Sequence, residues 1–150
     1  MPHAGVAASD RAVWRDRNDT SLNPAIAEAR KTLPLFWVKV DTRPSGFSEP
    51  SIKVGFPTQH GGIEFLWISV ERHTAVEAWG EVLNRPEDLP NVHEGQQVRV
   101  PNSKITDWSY VKGGKMFGQF TTRVLNKMDE RMRRETSPYL APTPLEPGDR

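Results

Sequence analysis

Alternating apolar and polar residues predict several β-strands in the middle of the chain. Apolar side chains occupy every second position from Ile52 to Phe56, which is the period of a strand with one polar face. The stretch 63–70 is apolar on both faces and predicts a strand at the heart of a sheet, covered on two sides. Gly113-Gly114 is typical of a two-residue hairpin turn. Further strands are predicted at 76–83, 97–101, 107–112 and 115–117.

Helices are predicted on both sides of this strand region. Pro24 fits the first turn of a helix, and good helix formers follow it as far as Lys31. Pro34 is expected to end that helix or to begin a short second one. Apolar residues with helical spacing from Phe117 to about Glu135 predict an amphipathic helix. The predicted fold is α+β, with a bent antiparallel sheet or partly open barrel of about five to six strands, flanked by an N-terminal helix and a C-terminal amphipathic helix.

The length of 150 residues fits one domain. Residues 1–21 show no apolar period and are expected to form a mobile N-terminal tail. The single domain is predicted to extend over 22–135. Residues 136–150 carry four of the 13 prolines, and they predict a C-terminal tail that is free in solvent or lies along the surface.

The charge balance and the absence of cysteine exclude several classes of function. The 20 Lys and Arg residues nearly cancel the 19 Asp and Glu residues, for a net charge of +1, so no overall field attracts nucleic acid or an anionic membrane. Without cysteine there are no disulfides and no thiolate metal sites. No apolar run approaches the roughly 18 residues that span a bilayer, and no signal segment is visible. We therefore expect a cytoplasmic protein without a membrane anchor.

Residues with catalytic or metal-binding chemistry form no recognisable motif. The four histidines, at positions 3, 60, 73 and 93, are isolated in sequence and predict exposed loop positions rather than a metal site. Ser69 or Ser109 can be combined with His73 and Asp107 into a triad only on paper, because no G-x-S-x-G turn surrounds either serine. We therefore assign no catalytic residue, no metal ligand and no cofactor.

Aromatic and basic residues supply the candidates for a binding surface. Trp79, between Glu77 and Glu81, is the tryptophan expected to reach solvent, whereas Trp67 is expected in the core. Basic residues recur with helical spacing in the predicted C-terminal helix, and a solvated helix face is the simpler explanation for them. The candidate surface comprises Trp79, Asp107, Trp108, Tyr110, Arg123, Lys127 and Arg131; Trp108 is at the same time a core candidate.

Several short motifs in fixed order carry a family resemblance. They are residues 25–34, 52–57 and 62–69, then Val98-Arg99-Val100-Pro101, Asp107-Trp108-x-Tyr110 and Thr121-Thr122-Arg123. In this order, the motifs resemble the YegJ-like family of bacterial proteins, known as domain of unknown function 2314. The resemblance implies the domain boundaries but no activity, cofactor or catalytic residue. Some members of that family are exported, and this chain differs from them in showing no signal segment.

Three functional hypotheses remain open from the sequence. The first is a non-catalytic binding or protein-interaction module of the immunity or regulator type, whose partner is another protein. The second is an enzyme of unrecognised class with a site near Asp107, Tyr110 and Arg123, joined by His73. The third is weak nucleic-acid binding through the basic C-terminal helix, which the low net charge disfavours. The oligomeric state stays open.

Overall fold

The structure, a computed structural model, describes residues 13–16 by their backbone and residues 20–149 in full. The helices among them are α1 (Asn23–Thr42), α2 (Phe120–Met128) and α3 (Glu130–Thr136). The strands are β1 (Val13–Asp16), β2 (Ser48–Pro57), β3 (Gly62–Ser69), β4 (Arg72–His73), β5 (Glu77–Glu81), β6 (Gln97–Pro101), β7 (Ile105–Lys112) and β8 (Lys115–Gly118).

These strands form two antiparallel sheets. The larger sheet has the order β1-β3-β2-β7-β8, and the smaller has the order β4-β5-β6. The chain after β5 meets the large sheet through a bridge between Val82 and Ile68. The α+β class is thereby confirmed, with the strands divided between two sheets that are not closed into a barrel. β2 lies in the middle of the large sheet, and β3 lies between β1 and β2.

The main core lies between α1 and one face of the large sheet. Phe36 and Val40 of α1 are buried there against Ile52 and Trp108 of the sheet. Ala78 and Val100 of the small sheet belong to the same core. Residues packed on so many sides bury most of their apolar surface, which is the main source of stability in a domain of this size.

Both helical regions differ from their predicted limits. α1 continues through Pro34 to Thr42, because the turns after the proline carry Phe36 and Val40 into the core and this burial outweighs the lost hydrogen bond. The predicted single C-terminal helix is two helices, and Phe117 belongs to β8. Asp129 is extended between them, and its side chain accepts a hydrogen bond from the amide of Met132. It thus caps α3.

The proline-rich C-terminal segment lies along the edge of the large sheet. The amide of Ala141 donates to the carbonyl of Met116 at 2.9 Å, and the amide of Gly118 donates to the carbonyl of Pro144 at 2.8 Å. Ala141 itself is buried. At the other end, residues 13–16 of the predicted N-terminal tail form β1, while 1–12 and 17–19 lie outside the described residues. No helix in the described part of the chain is long and apolar enough to cross a membrane.

Candidate functional site

Asp107 is a residue of β7 that is fully buried beside the first turn of α2. Its carboxylate accepts hydrogen bonds from the amides of Trp108 at 2.8 Å, Phe120 at 3.1 Å and Thr121 at 2.8 Å, and from the hydroxyl of Thr121 at 2.6 Å. Two of these amides belong to the first turn of α2, which has no other acceptor for them. Burial raises the pKa of Asp107, while Lys53 and the hydrogen bonds from Thr121 oppose that rise. Asp107 therefore ties β7 to α2.

Trp108 and Tyr110 point to the opposite face of β7, into the main core. Each is 1% exposed, and their rings stack on each other with centroids 5.8 Å apart. The indole N–H of Trp108 donates to the hydroxyl of Thr32 at 3.0 Å. The hydroxyl of Tyr110 donates to Glu146 at 2.6 Å. Neither side chain is placed to contact a partner, because both lie beneath the surface.

Glu146 binds the C-terminal segment to the rest of the fold. Besides the bond from Tyr110, its carboxylate accepts hydrogen bonds from Lys39 at 2.8 Å and Lys112 at 2.7 Å. Burial opposes ionisation of this carboxyl, but the bonds from Lys112, Lys39 and Tyr110 outweigh it and lower the pKa of Glu146 to about 2. Burial and the neighbouring Glu146 raise the pKa of Tyr110. Tyr110 thus serves as a hydrogen-bond donor in a structural cluster.

The predicted basic stripe is divided between the interior and the surface. Arg123 is half-buried and donates to the carbonyls of Gly118 at 3.0 Å and Ala141 at 2.7 Å. Lys127 and Arg131 are exposed, and Arg131 forms an ion pair with Glu135 at 3.0 Å. Arg123 therefore holds the C-terminal segment, and only the later members of the stripe face solvent.

The groups of the enzyme hypothesis do not converge. Asp107 and Tyr110 lie on opposite faces of β7, and Arg123 donates to backbone carbonyls. His73 was expected in an exposed loop but lies in β4, where its ring stacks on Trp37 with centroids 4.1 Å apart. Its Nε2 atom is 2.6 Å from Asp41. The described residues also contain no group of three His, Asp or Glu side chains that could hold a metal ion.

The remaining candidate, Trp79, lies on the outer face of the small sheet. In the strand register, Trp79 is directly opposite Arg72 of β4 and Arg99 of β6, so all three side chains project from the same face. The guanidinium carbon of Arg72 lies 4.0 Å from the centroid of the Trp79 ring. Arg99 is 67% exposed and contacts Glu77 at 3.5 Å. We call Arg72, Trp79 and Arg99 the Trp79 row.

Small residues on the inner face of β5 make this orientation obligatory. A Cβ atom at Gly80 would lie 1.5 Å from the carbonyl oxygen of Ser69, so glycine lets β5 pack directly against the end of β3. Ala78 is 1% exposed. Side chains alternate along a strand, so Trp79 must project outward. The outward position was predicted from the flanking glutamates, but Arg72 and Arg99 were missed because only the strand register brings them to Trp79.

Most of the chain matches the model of one bacterial protein family. Residues 19–138 match the model of the family described as "Uncharacterized protein conserved in bacteria (DUF2314)". The chain belongs to that family, as the motif resemblance predicted. The match includes the Trp79 row and Asp107 and ends before Glu146.

Two curated bacterial proteins are similar to this chain. A putative ankyrin repeat protein of Neisseria meningitidis serogroup B is 32% identical over 128 residues, which cover 80% of this chain and 51% of that protein. The chain thus spans about half of that relative's length. The uncharacterized protein YegJ of Escherichia coli K12 is 26% identical over 113 residues, which cover 75% of this chain and 72% of YegJ. No solved structure matches the chain.

Proposed function

We propose that this chain is a non-catalytic protein-interaction module of the immunity or regulator type, which binds another protein in the cytoplasm through the Trp79 row. The observation that carries the proposal is the stacked pair of Arg72 and Trp79 on the outer face of the small sheet. Tryptophan and arginine are the residue types that contribute most to binding energy at protein interfaces. Here a partly exposed indole is held in one orientation before any partner arrives, which reduces the entropy lost on binding.

The buried family motifs also support a non-catalytic role. Asp107, Trp108 and Tyr110 carry the most distinctive chemistry of the sequence, and their polar atoms are engaged in internal hydrogen bonds. Such use accounts for these residues as parts of the fold. Exposed residues are therefore the candidates for binding. Among them, the Trp79 row combines an aromatic ring with two cations.

The name of the neisserial relative also supports a role in protein binding. Its printed name is a putative ankyrin repeat protein, and this chain matches about half of it. Ankyrin repeats form extended concave surfaces of the kind used in binding. A domain of this family joined to such repeats fits a role in assembling protein complexes.

The proposal is tested by co-purification from the native host with matched surface variants. The bait is the full chain, as wild type, as Trp79→Ala, or as the double variant Lys127→Glu/Arg131→Glu. The double variant reverses charge on a different exposed surface and serves as the control. Nuclease treatment removes contacts that depend on nucleic acid.

The expected result is a stoichiometric protein that is retained by the wild type and by the double variant but lost with Trp79→Ala. A partner lost only with the double variant would move the interface to α2 and α3 and contradict the proposal. Retention of the same proteins by all three baits, or of none by any, would also contradict it. Loss of binding after nuclease treatment would favour the nucleic-acid hypothesis instead.

A further inference from the structure

We propose that the outer edge of β6 binds an extended segment of the partner protein as an added strand, with an acidic side chain of that segment beside Arg99. This inference rests on the interaction function proposed above and specifies its geometry. It concerns the backbone of β6 and, from the Trp79 row, the side chain of Arg99.

The hydrogen bonds of β5 show which of its backbone groups face each neighbour. The carbonyl of Glu77 accepts from the amide of Thr74 at 2.8 Å, and the carbonyl of Trp79 accepts from the amide of Glu71 at 2.9 Å. Both bonds lie on the side of β4. Backbone groups alternate direction along a strand. Ala78 and Gly80 therefore direct their amides and carbonyls toward β6.

The same alternation identifies the free groups of β6. Val100 is opposite Ala78 and Val98 is opposite Gly80, and the backbones of these pairs are hydrogen-bonded to each other. Gln97 and Arg99 therefore point their amides and carbonyls away from β5, whereas the carbonyl of Pro101 begins the 3-10 helix of Asn102–Lys104. Within the described part of the chain, no hydrogen bond joins the outward groups of Gln97 and Arg99 to another element. Groups two residues apart, at about 6.8 Å, are spaced to pair with another strand.

The opposite situation at β8 shows that this fold accommodates strand-like additions at an edge. There the carbonyl of Met116 and the amide of Gly118 are bonded to the C-terminal segment, through Ala141 and Pro144. That edge is covered by the chain itself. β6 has no such cover in the described residues, although an open edge tends to attract another strand.

The side chains around this edge specify the chemistry of the added segment. Arg99 is 67% exposed, and its contact with Glu77 is long at 3.5 Å, so its guanidinium is available to a carboxylate on the outer face. Arg72 lies on β4, at the opposite edge of the small sheet, and stays on Trp79. On the inner face, Val98 packs partly buried against the core. The complementary segment therefore places one acidic side chain beside Arg99 on the outer face and apolar side chains on the inner face beside Val98.

Amide hydrogen exchange of the isolated chain, measured residue by residue by NMR, provides the first test. We expect fast exchange at Gln97 and Arg99 and slow exchange at Val98 and Val100. Slow exchange at all four positions at every concentration would mean that the edge is already covered and would overturn the proposal. Protection of Gln97 and Arg99 that increases with protein concentration would identify a second copy as the occupant, which would also overturn it.

Two substitutions at one position separate the backbone from the charge. Arg99→Ala removes the guanidinium but keeps the outward amide, whereas Arg99→Pro removes both and leaves the ladder with β5 intact, since proline is tolerated at an outward edge position. The probes are the co-purified partner and a phage-displayed library of seven-residue peptides. Thermal unfolding verifies that both variants fold, and Gln97→Pro replaces Arg99→Pro if the latter does not.

We expect selected peptides to carry an acidic residue between two apolar residues, to bind Arg99→Ala several-fold more weakly than wild type, and to bind Arg99→Pro at least tenfold more weakly than Arg99→Ala. Equal binding to the two variants, or no selected peptide, would overturn strand addition. A partner that is lost with Trp79→Ala but retained by Arg99→Pro would leave the interaction function standing without strand addition. A partner unaffected by either substitution would contradict both proposals.

Discussion

The guanidinium of Arg72 stacks on the indole of Trp79 at 4.0 Å, on the outer face of the small sheet. The cation limits the rotation of the indole and leaves part of its surface to solvent. Because this pair contributes little to the core, its removal should cost little stability, and under the proposed function it should abolish partner binding.

The two tryptophans Trp79 and Trp67 should differ in their contribution to stability. Trp67 is 2% exposed on β3, so Trp67→Ala should lower the free energy of unfolding by about 3–5 kcal/mol. Trp79→Ala removes a partly exposed ring and should cost about 1 kcal/mol or less. Urea unfolding followed by circular dichroism measures both. A loss at Trp79 as large as that at Trp67 would show that Trp79 is a core residue.

Asp107 should contribute more to stability than the second aspartate that caps a helix. Asp107→Ala leaves buried amides at Phe120 and Thr121 without an acceptor, and we expect a loss of about 3 kcal/mol or more. Asp129→Ala removes the cap of α3 at a more exposed site and should cost about 1 kcal/mol. Urea unfolding of the two variants gives the comparison. Similar losses would mean that the Asp107 cluster is not the main connection between β7 and α2.

Glu146 should make stability depend on acid pH. Its pKa falls from 4.5 to about 2 on folding, so its contribution is fully present above about pH 4.5 and is lost as the pH falls towards 2. At pH 7 Glu146→Gln should be less stable than wild type by about 1–3 kcal/mol, and this difference should shrink between pH 4.5 and 2. Denaturant unfolding across that range measures it.

Tyr110→Phe is the control for the acid-dependence measurement. It removes one hydrogen bond to Glu146 but keeps both lysines beside the carboxylate, so most of the pH dependence should persist. A stability difference between wild type and Glu146→Gln that does not change with pH would contradict the assigned role of this carboxylate.

Local signals in the sequence predicted the elements that depend on few residues. The hairpin of β7 and β8 follows from Gly113 and Gly114, which both have positive φ, at 60° and 76°, as the two central positions of this turn require. The break between α2 and α3 was not predicted, because apolar spacing continues across it through Met128 and Met132. The capping of α3 by Asp129 decided the outcome there.

The site was predictable only where a side chain's direction follows from its immediate neighbours. The alternation around Trp79 is local, and it predicted an outward ring. Arg72 and Arg99 reach that ring through pairings on either side of β5, so no short stretch of sequence contains the site. Asp107 looked like a surface candidate because three of its four donors belong to Phe120 and Thr121, whose approach depends on the path of the chain through β8.

Site-specific photo-crosslinking in the native host tests the central claim most directly. A benzoylphenylalanine replaces Val76, a 70% exposed residue in the turn that leads into β5, or Met128, a 56% exposed residue on α2. The account predicts that the partner protein is crosslinked from position 76 and not from position 128. Crosslinking from position 128 alone would contradict it and place the interface on the helical side of the molecule.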